Sequence, residues 1–188
     1  MSRSGFYTGK GDRGETLRLA GKNRIPKDSE LIEAIGALDE AVSAIGMARA
    51  LAGSAPLKPM MATVQRHIYR LLSHLSAVPD ARERYPGLSQ VEVAWLEARI
   101  AELEPHLPSL DDFVLPGETS GGAAFHVART VVRRAERRLV ALVDLEPKLG
   151  EANLAYVNRL SSLMFVAALA EDTLDGRSPT LAREASDM

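Results

Sequence analysis

Apolar residues recur at intervals of three and four along five stretches of this chain, the spacing that keeps one face of an α-helix dry. Leu31, Ile35, Leu38, Val42 and Ile45 mark the first stretch, which is expected to run from Asp28 or Ser29, either a plausible N-cap, to about residue 51. After a break at Gly53, Ser54, Pro56 and Pro59, Val64, Ile68, Leu71, Leu72 and Leu75 mark a second helix over about 57–77. The third opens at Ser89, where Ser-Gln-Val-Glu has capping-box spacing and Glu92 reaches back. It carries Val91, Trp95, Leu96, Ile100 and Leu103 and stops before Pro105 and Pro108. The fourth follows a loop at 113–117 and shows Phe125, Ala128, Val132, Ala135, Leu139 and Leu142; the fifth, about 151–174, shows a broad face from Leu154 to Ala168, interrupted by Asn158 and Arg159. No stretch alternates as a credible strand and no repeat is evident. The pattern predicts an all-α five-helix bundle forming a single domain over 1–188, with 1–28 a glycine-rich arm and 176–188 a polar tail that frays or orders only on binding.

The fourth helix has a second, polar face. On a wheel of roughly 100° per residue, His126, Arg129, Arg133, Glu136 and Arg137 fall within an arc of about 100°, opposite the apolar positions. Such a face is either solvated or offered to a ligand or partner. Arg134 and Arg138 fall partly outside the arc and read as ordinary surface charges. The arm is punctuated by Gly5, Gly9, Gly11, Gly14 and Gly21, too often for a long helix. Glycines allow close backbone approach and aim N–H groups at an anion, Lys10, Lys22 and Lys27 add charge, and Thr8 and Thr16 add hydroxyls. A flexible surface arm is the plain alternative to a phosphate cradle. No Walker spacing is present.

Charge sharpens this reading. The net charge of −2 argues against a general nucleic-acid or membrane-surface binder. Yet residues 1–27 hold seven Lys or Arg against two acids, and 129–138 hold five Arg against one Glu, so a local anionic ligand, such as a phosphate-bearing small molecule, fits better than a polymer. Cysteine is absent, which removes disulfides, thiolate nucleophiles and cysteine metal sites and suits a reducing cytosol. The longest apolar run, 163–170, is too short to span a bilayer, so a soluble cytoplasmic protein is expected. Asp39 and Glu40 sit mid-helix as solvated charges, and His67 and His74, seven apart, lack a visible third metal ligand and read as packing or hydrogen-bonding residues. No metal site is assigned.

Three blocks together resemble the PduO-type ATP:cob(I)alamin adenosyltransferases. They are Tyr7-Thr8-Gly9-Lys10-Gly11-Asp12-Arg13-Gly14 with Pro26-Lys27-Asp28; Phe113-Val114-Leu115-Pro116-Gly117 with His126-Val127-Ala128-Arg129 and Arg133-Arg134-Ala135-Glu136-Arg137; and Asn158-Arg159-Leu160-Ser161. Their order and spacing match the family across nearly the whole chain. The resemblance implies a ferritin-like, cobalamin adenosyltransferase-like bundle that assembles as a homotrimer with ATP between subunits. It implies ATP contacts from Thr8, Gly9, Lys10, Gly11, Thr16, Lys27, Arg133, Glu136, Arg137 and Asn158, and an inter-subunit ion pair between Arg129 and Asp39. Phe113 would lie against the corrin and displace its lower nitrogen ligand. The implied reaction transfers the 5′-deoxyadenosyl group of ATP to the cobalt of cob(I)alamin, with Mg²⁺ assisting and triphosphate released. A reductase or a cobalamin-dependent mutase is a possible further partner. The alternative is a non-catalytic ATP-binding trimer that carries cobalamin or regulates another protein. The chain departs from the family pattern at Glu118, where a second glycine is common, and at Gly121-Gly122, which replace bulkier residues. Ser162 stands where an Asp is usual and Leu163 where an aromatic is common.

Overall fold

The computed structural model describes residues 9–183. Five α-helices appear among them: α1 Glu30–Leu51, α2 Leu57–Ser76, α3 Gln90–Leu103, α4 Ser120–Leu145 and α5 Glu151–Leu174. α4 lies between α1 and α5, α2 covers α1, and α3 covers α5. The predicted stripes meet in one core, in which Leu38, Ile45, Ile68, Leu71, Phe125, Leu139 and Tyr156 are at most 1 % exposed; Val91, assigned to the third stripe, is instead exposed in the first turn of α3. The two histidines pack as expected. His67 Nδ1 lies 3.1 Å from the Tyr156 hydroxyl, and His74 Nδ1 lies 2.9 Å from the Tyr85 carbonyl oxygen.

The predicted capping box is formed. The Ser89 hydroxyl accepts from Val91 N, while Ser89 N donates to Glu92 Oε2 at 2.8 Å. Arg70 also donates to Glu92 Oε1 at 2.7 Å. Burial pushes the Glu92 carboxyl up, but the Ser89 hydroxyl and amide and the Arg70 guanidinium together outweigh it and hold the pKa down at about 2. A carboxyl depressed in the folded state stabilises fully above its unfolded pKa and loses that stabilisation as pH falls through the folded value. The melting temperature should therefore drop from about pH 4.5 toward pH 2, and Glu92→Gln should flatten this part of the profile. An unchanged slope in calorimetry across that range would remove Glu92 from the account.

Two features differ from expectation. The arm, expected to contain no strand, forms an antiparallel hairpin of β1 Glu15–Leu17 and β2 Arg24–Pro26, with Thr16 opposite Ile25. Short strands of three residues leave almost no periodic signal, which is why the pattern missed them. Gly14, at φ +76°, makes the turn into β1 that a side chain would strain. The hairpin is docked: Leu19 N donates to Ser76 O at 2.9 Å, Val78 N to Leu19 O at 3.1 Å, and the Arg18 guanidinium to the carbonyls of Leu75 and Ala77. These carbonyls close the C-terminal end of α2, where a cation is favoured.

The tail also differs, as far as it is described. Instead of fraying, it returns to the 113–118 loop, where Leu115 N donates to Thr180 O at 2.8 Å and Ala182 N to Phe113 O at 2.7 Å. Arg183 pairs with Asp112 at 3.3 Å, and Glu118 Oε1 accepts from Thr180 N at 3.2 Å. A polar composition concealed this order because the tail is held by backbone bonds rather than by apolar burial.

Candidate functional site

Alternate arginines of α4 have different fates. Arg134 pairs with Glu40 and Arg138 with Glu33, so both are committed to α1. Arg133 and Arg137 are exposed and make no ion pair among the described residues; Arg137 Nη1 donates only to the Arg133 carbonyl, at 3.1 Å. Beside them Asn158 Nδ2 on α5 donates to Glu136 Oε1 on α4 at 2.7 Å. Arg159 Nη1 donates to Asn158 Oδ1 at 3.0 Å and Arg159 Nε reaches Glu97 at 3.0 Å. The amide is thereby oriented, and two guanidinium groups stand free beside it. Planar guanidinium groups without a counter-charge are suited to an anion's oxygens.

The arm residues singled out in the sequence lie elsewhere on the same chain. Thr16 and Lys27 line a cleft of about 590 Å³ with Ile32, Glu40, Arg134 and Arg138, and the Arg133, Glu136, Arg137 and Asn158 set does not line it. Lys27 Nζ donates to the Gly11 carbonyl at 2.9 Å, tying the 9–14 turn to the end of the hairpin. A Cβ on Gly11 would stand 3.0 Å from that ammonium nitrogen, so the close approach uses the missing side chain. Gly9 and Lys10 are exposed in the same turn. Thr8 lies outside the described residues.

Arg129 and Asp39 are not joined within the chain. Arg129 Nε is buried without a hydrogen-bond partner, and Asp39 is exposed on the outer face of α1 with no ion pair among the described residues. His126 departs from the wheel: instead of joining an offered face it is 3 % exposed. Phe165 of α5 covers it edge-on, ring centroids 5.8 Å apart, because this end of the polar arc lies under α5 rather than in the open. Burial, with Arg129 adding to it, pushes the imidazole pKa down, and Asp172 opposes them. Phe113 stands in the opposite situation. It is 82 % exposed at the tip of its loop, an unusual place for a large ring that has no ligand to meet.

The cobalamin adenosyltransferase family model matches residues 6–171. This chain belongs to that family. A corrinoid adenosyltransferase of Bacillus subtilis is 37 % identical over 175 residues, covering 91 % of this chain and 88 % of the relative. The corrinoid adenosyltransferase PduO of Salmonella typhimurium is 33 % identical over 184 residues; the match covers 96 % of this chain but 53 % of that longer protein. Among solved structures, a phenylalanine-to-alanine variant of the PduO-type ATP:corrinoid adenosyltransferase from Lactobacillus reuteri, complexed with cobalamin and ATP, superposes with a TM-score of 0.86 at 30 % identity. The match covers 95 % of this chain and 99 % of that one.

Within this family the departures noted in the sequence take on a structural meaning. Glu118 accepts a bond from the returning tail. Gly121 and Gly122 admit two carboxylates of α5, Glu171 and Asp172, against the first turn of α4. Ser162 is exposed, and Leu163 is fully buried in the core. The residues that sequence reasoning did not single out, Thr119, Glu171 and Asp172, gave no signal because a buried Asp has the same sequence signature as a solvated one.

Proposed function

We propose that the chain is an ATP:cob(I)alamin adenosyltransferase whose active site is completed between subunits. The observation that carries this reading is the separation of two complementary groups of residues on one chain: an arm with Lys27 and Thr16, and an α4–α5 face where Arg133 and Arg137 make no ion pair among the described residues. A homotrimer, in which the arm of one protomer meets the α4–α5 face of the next, brings both onto one triphosphate. Arg129 and Asp39 would pair across the same interface, which accounts for the partnerless Arg129 Nε. An isologous dimer would also join two halves, but the family resemblance favours the closed ring of three.

The chemistry asks little of the protein in the way of acids, bases or nucleophiles. The cobalt lone pair of cob(I)alamin attacks C5′ of ATP, the C5′–O bond breaks with its electron pair leaving on triphosphate, and cobalt passes formally from Co(I) to Co(III). Alignment of C5′ with cobalt and neutralisation of the leaving polyphosphate are what remain to be supplied. Arg133 and Arg137 present planar forks to phosphate oxygens, Lys27 and Lys10 add positive charge, and Gly9 and Gly11 bring backbone N–H groups close. Glu136 and Asn158, already bonded to each other, present a fixed pair of polar atoms beside the arginines.

Mg²⁺ fits as a companion of the nucleotide. Among the described residues no three or more His, Asp or Glu side chains gather to hold a metal. Phosphate oxygens with a single carboxylate such as Glu136 match the way Mg²⁺ is usually bound. Phe113 presents an apolar ring to the corrin, and removal of the lower axial nitrogen makes Co(II) easier to reduce. No helix among the described residues is long and apolar enough to cross a membrane. The direct test is anaerobic incubation with chemically reduced cobalamin and ATP. Adenosylcobalamin and triphosphate should appear in equal amounts; ATP binding without product would instead select a carrier or regulatory protein.

A further inference from the structure

The loop bearing Phe113 ends where α4 begins, and α5 reaches that point through one carboxylate. Asp172 is 1 % exposed, and its Oδ1 accepts from the Thr119 hydroxyl at 2.6 Å. The same hydroxyl oxygen accepts from Gly122 N at 2.9 Å, as an N-cap does. With one proton to donate and one amide to accept from, the Thr119 side chain has a single rotamer that satisfies both. The approach exists because two residues lack side chains. A Cβ on Gly122 would stand 2.1 Å from Asp172 Oδ1, and one on Gly121 would stand 2.7 Å from Glu171 Cγ and Oε1. Glu171 is itself engaged, accepting from the amides of Gly53 and Ser54 in the α1–α2 connection.

The 113–118 loop is thus held at both ends. The returning tail bonds Phe113 O and the Leu115 amide, and Asp172 fixes Thr119 where the loop enters α4. A carboxylate beside the first turn of a helix is also favoured by the helix dipole.

We propose that Asp172 is a positioning residue for the corrin-facing loop: through Thr119 it sets where Phe113 stands against the corrin, and Gly121 and Gly122 form a matched set with it and Glu171. Asp172 does not touch substrate; it acts through the cap. The proposal rests on the adenosyltransferase reading. It also assigns a purpose to the glycine pair, which otherwise weakens the start of α4 for no return.

The test compares Asp172→Ala, Asp172→Asn and Thr119→Val, Thr119→Ser with the parent protein by steady-state kinetics and by cob(II)alamin spectra in the presence of ATP. Asp172→Ala and Thr119→Val should raise the corrinoid KM or lower kcat about tenfold and reduce the four-coordinate Co(II) signal, while the KM for ATP stays within about twofold. Asp172→Asn and Thr119→Ser, which keep an acceptor and a hydroxyl, should recover most of the loss. If Asp172→Ala does not fold, the Thr119 pair carries the same comparison. An unchanged four-coordinate signal in Thr119→Val, or equal losses toward ATP and corrinoid, overturns the positioning role. A parent protein that gives no such signal and no product overturns the adenosyltransferase reading, and this proposal with it.

Discussion

Arg133→Ala should weaken ATP binding by about 30-fold, equivalent to ~2 kcal/mol, the loss expected when a charge-assisted bond to phosphate is removed. The fold should survive, because Arg133 is exposed and makes no ion pair among the described residues. Arg133→Lys should fall between, keeping the charge but losing the planar fork. Calorimetry with ATP reads the effect, and parental affinity would dismiss the residue from the site. The same variant tests whether the site is shared. Lys27→Ala alters the other half, so mixed assemblies of Lys27→Ala and Arg133→Ala chains should contain intact sites at about one in four positions when an arm and a face come from different protomers. Random reassembly of equal amounts would then restore about a quarter of parental activity from two poorly active proteins. A site built within one chain would restore none.

Phe113→Ala should lower the adenosylation rate by about 100-fold while leaving ATP affinity within about twofold, because the ring is assigned to the corrin and not to the nucleotide. Thermal stability should be unchanged. A ring 82 % exposed contributes almost no burial, whereas truncating the fully buried Phe125 would cost about 3–5 kcal/mol. The combination of a rate defect with an unmoved melting temperature separates a residue that meets substrate from one that packs. A Co(II) spectrum with the same four-coordinate signal in the absence of the ring would refute the wedge.

What could be read beforehand divides by the kind of signal each element leaves. The five helices were legible because each carries at least three turns of apolar repetition, and the Ser89–Glu92 box marks its helix start by residue type alone. The exposed Arg133 and Arg137 were legible as a face, and the angular offset set Arg134 and Arg138 apart from it; that these two, read as ordinary surface charges, pair with Glu40 and Glu33 of α1 was not legible, because a wheel shows one helix alone. His126 was misplaced, since a helical wheel describes one helix and knows nothing of the neighbour that covers it. The β1–β2 hairpin and the tail were missed for a related reason: both are held chiefly by main-chain bonds, to which side-chain periodicity is blind. Asp172 needed three-dimensional knowledge of Gly122 opposite it.

The pinned hairpin has a consequence for how tightly nucleotide is held. A recognition strand that must freeze upon capture forfeits part of its contact energy to lost chain freedom. On the proposed reading, residues 15–27 would meet the incoming polyphosphate with their backbone already fixed by Arg18 and the end of α2, so little of that forfeit would fall on them. Tight capture can then come from a handful of cations rather than from a large enclosing surface.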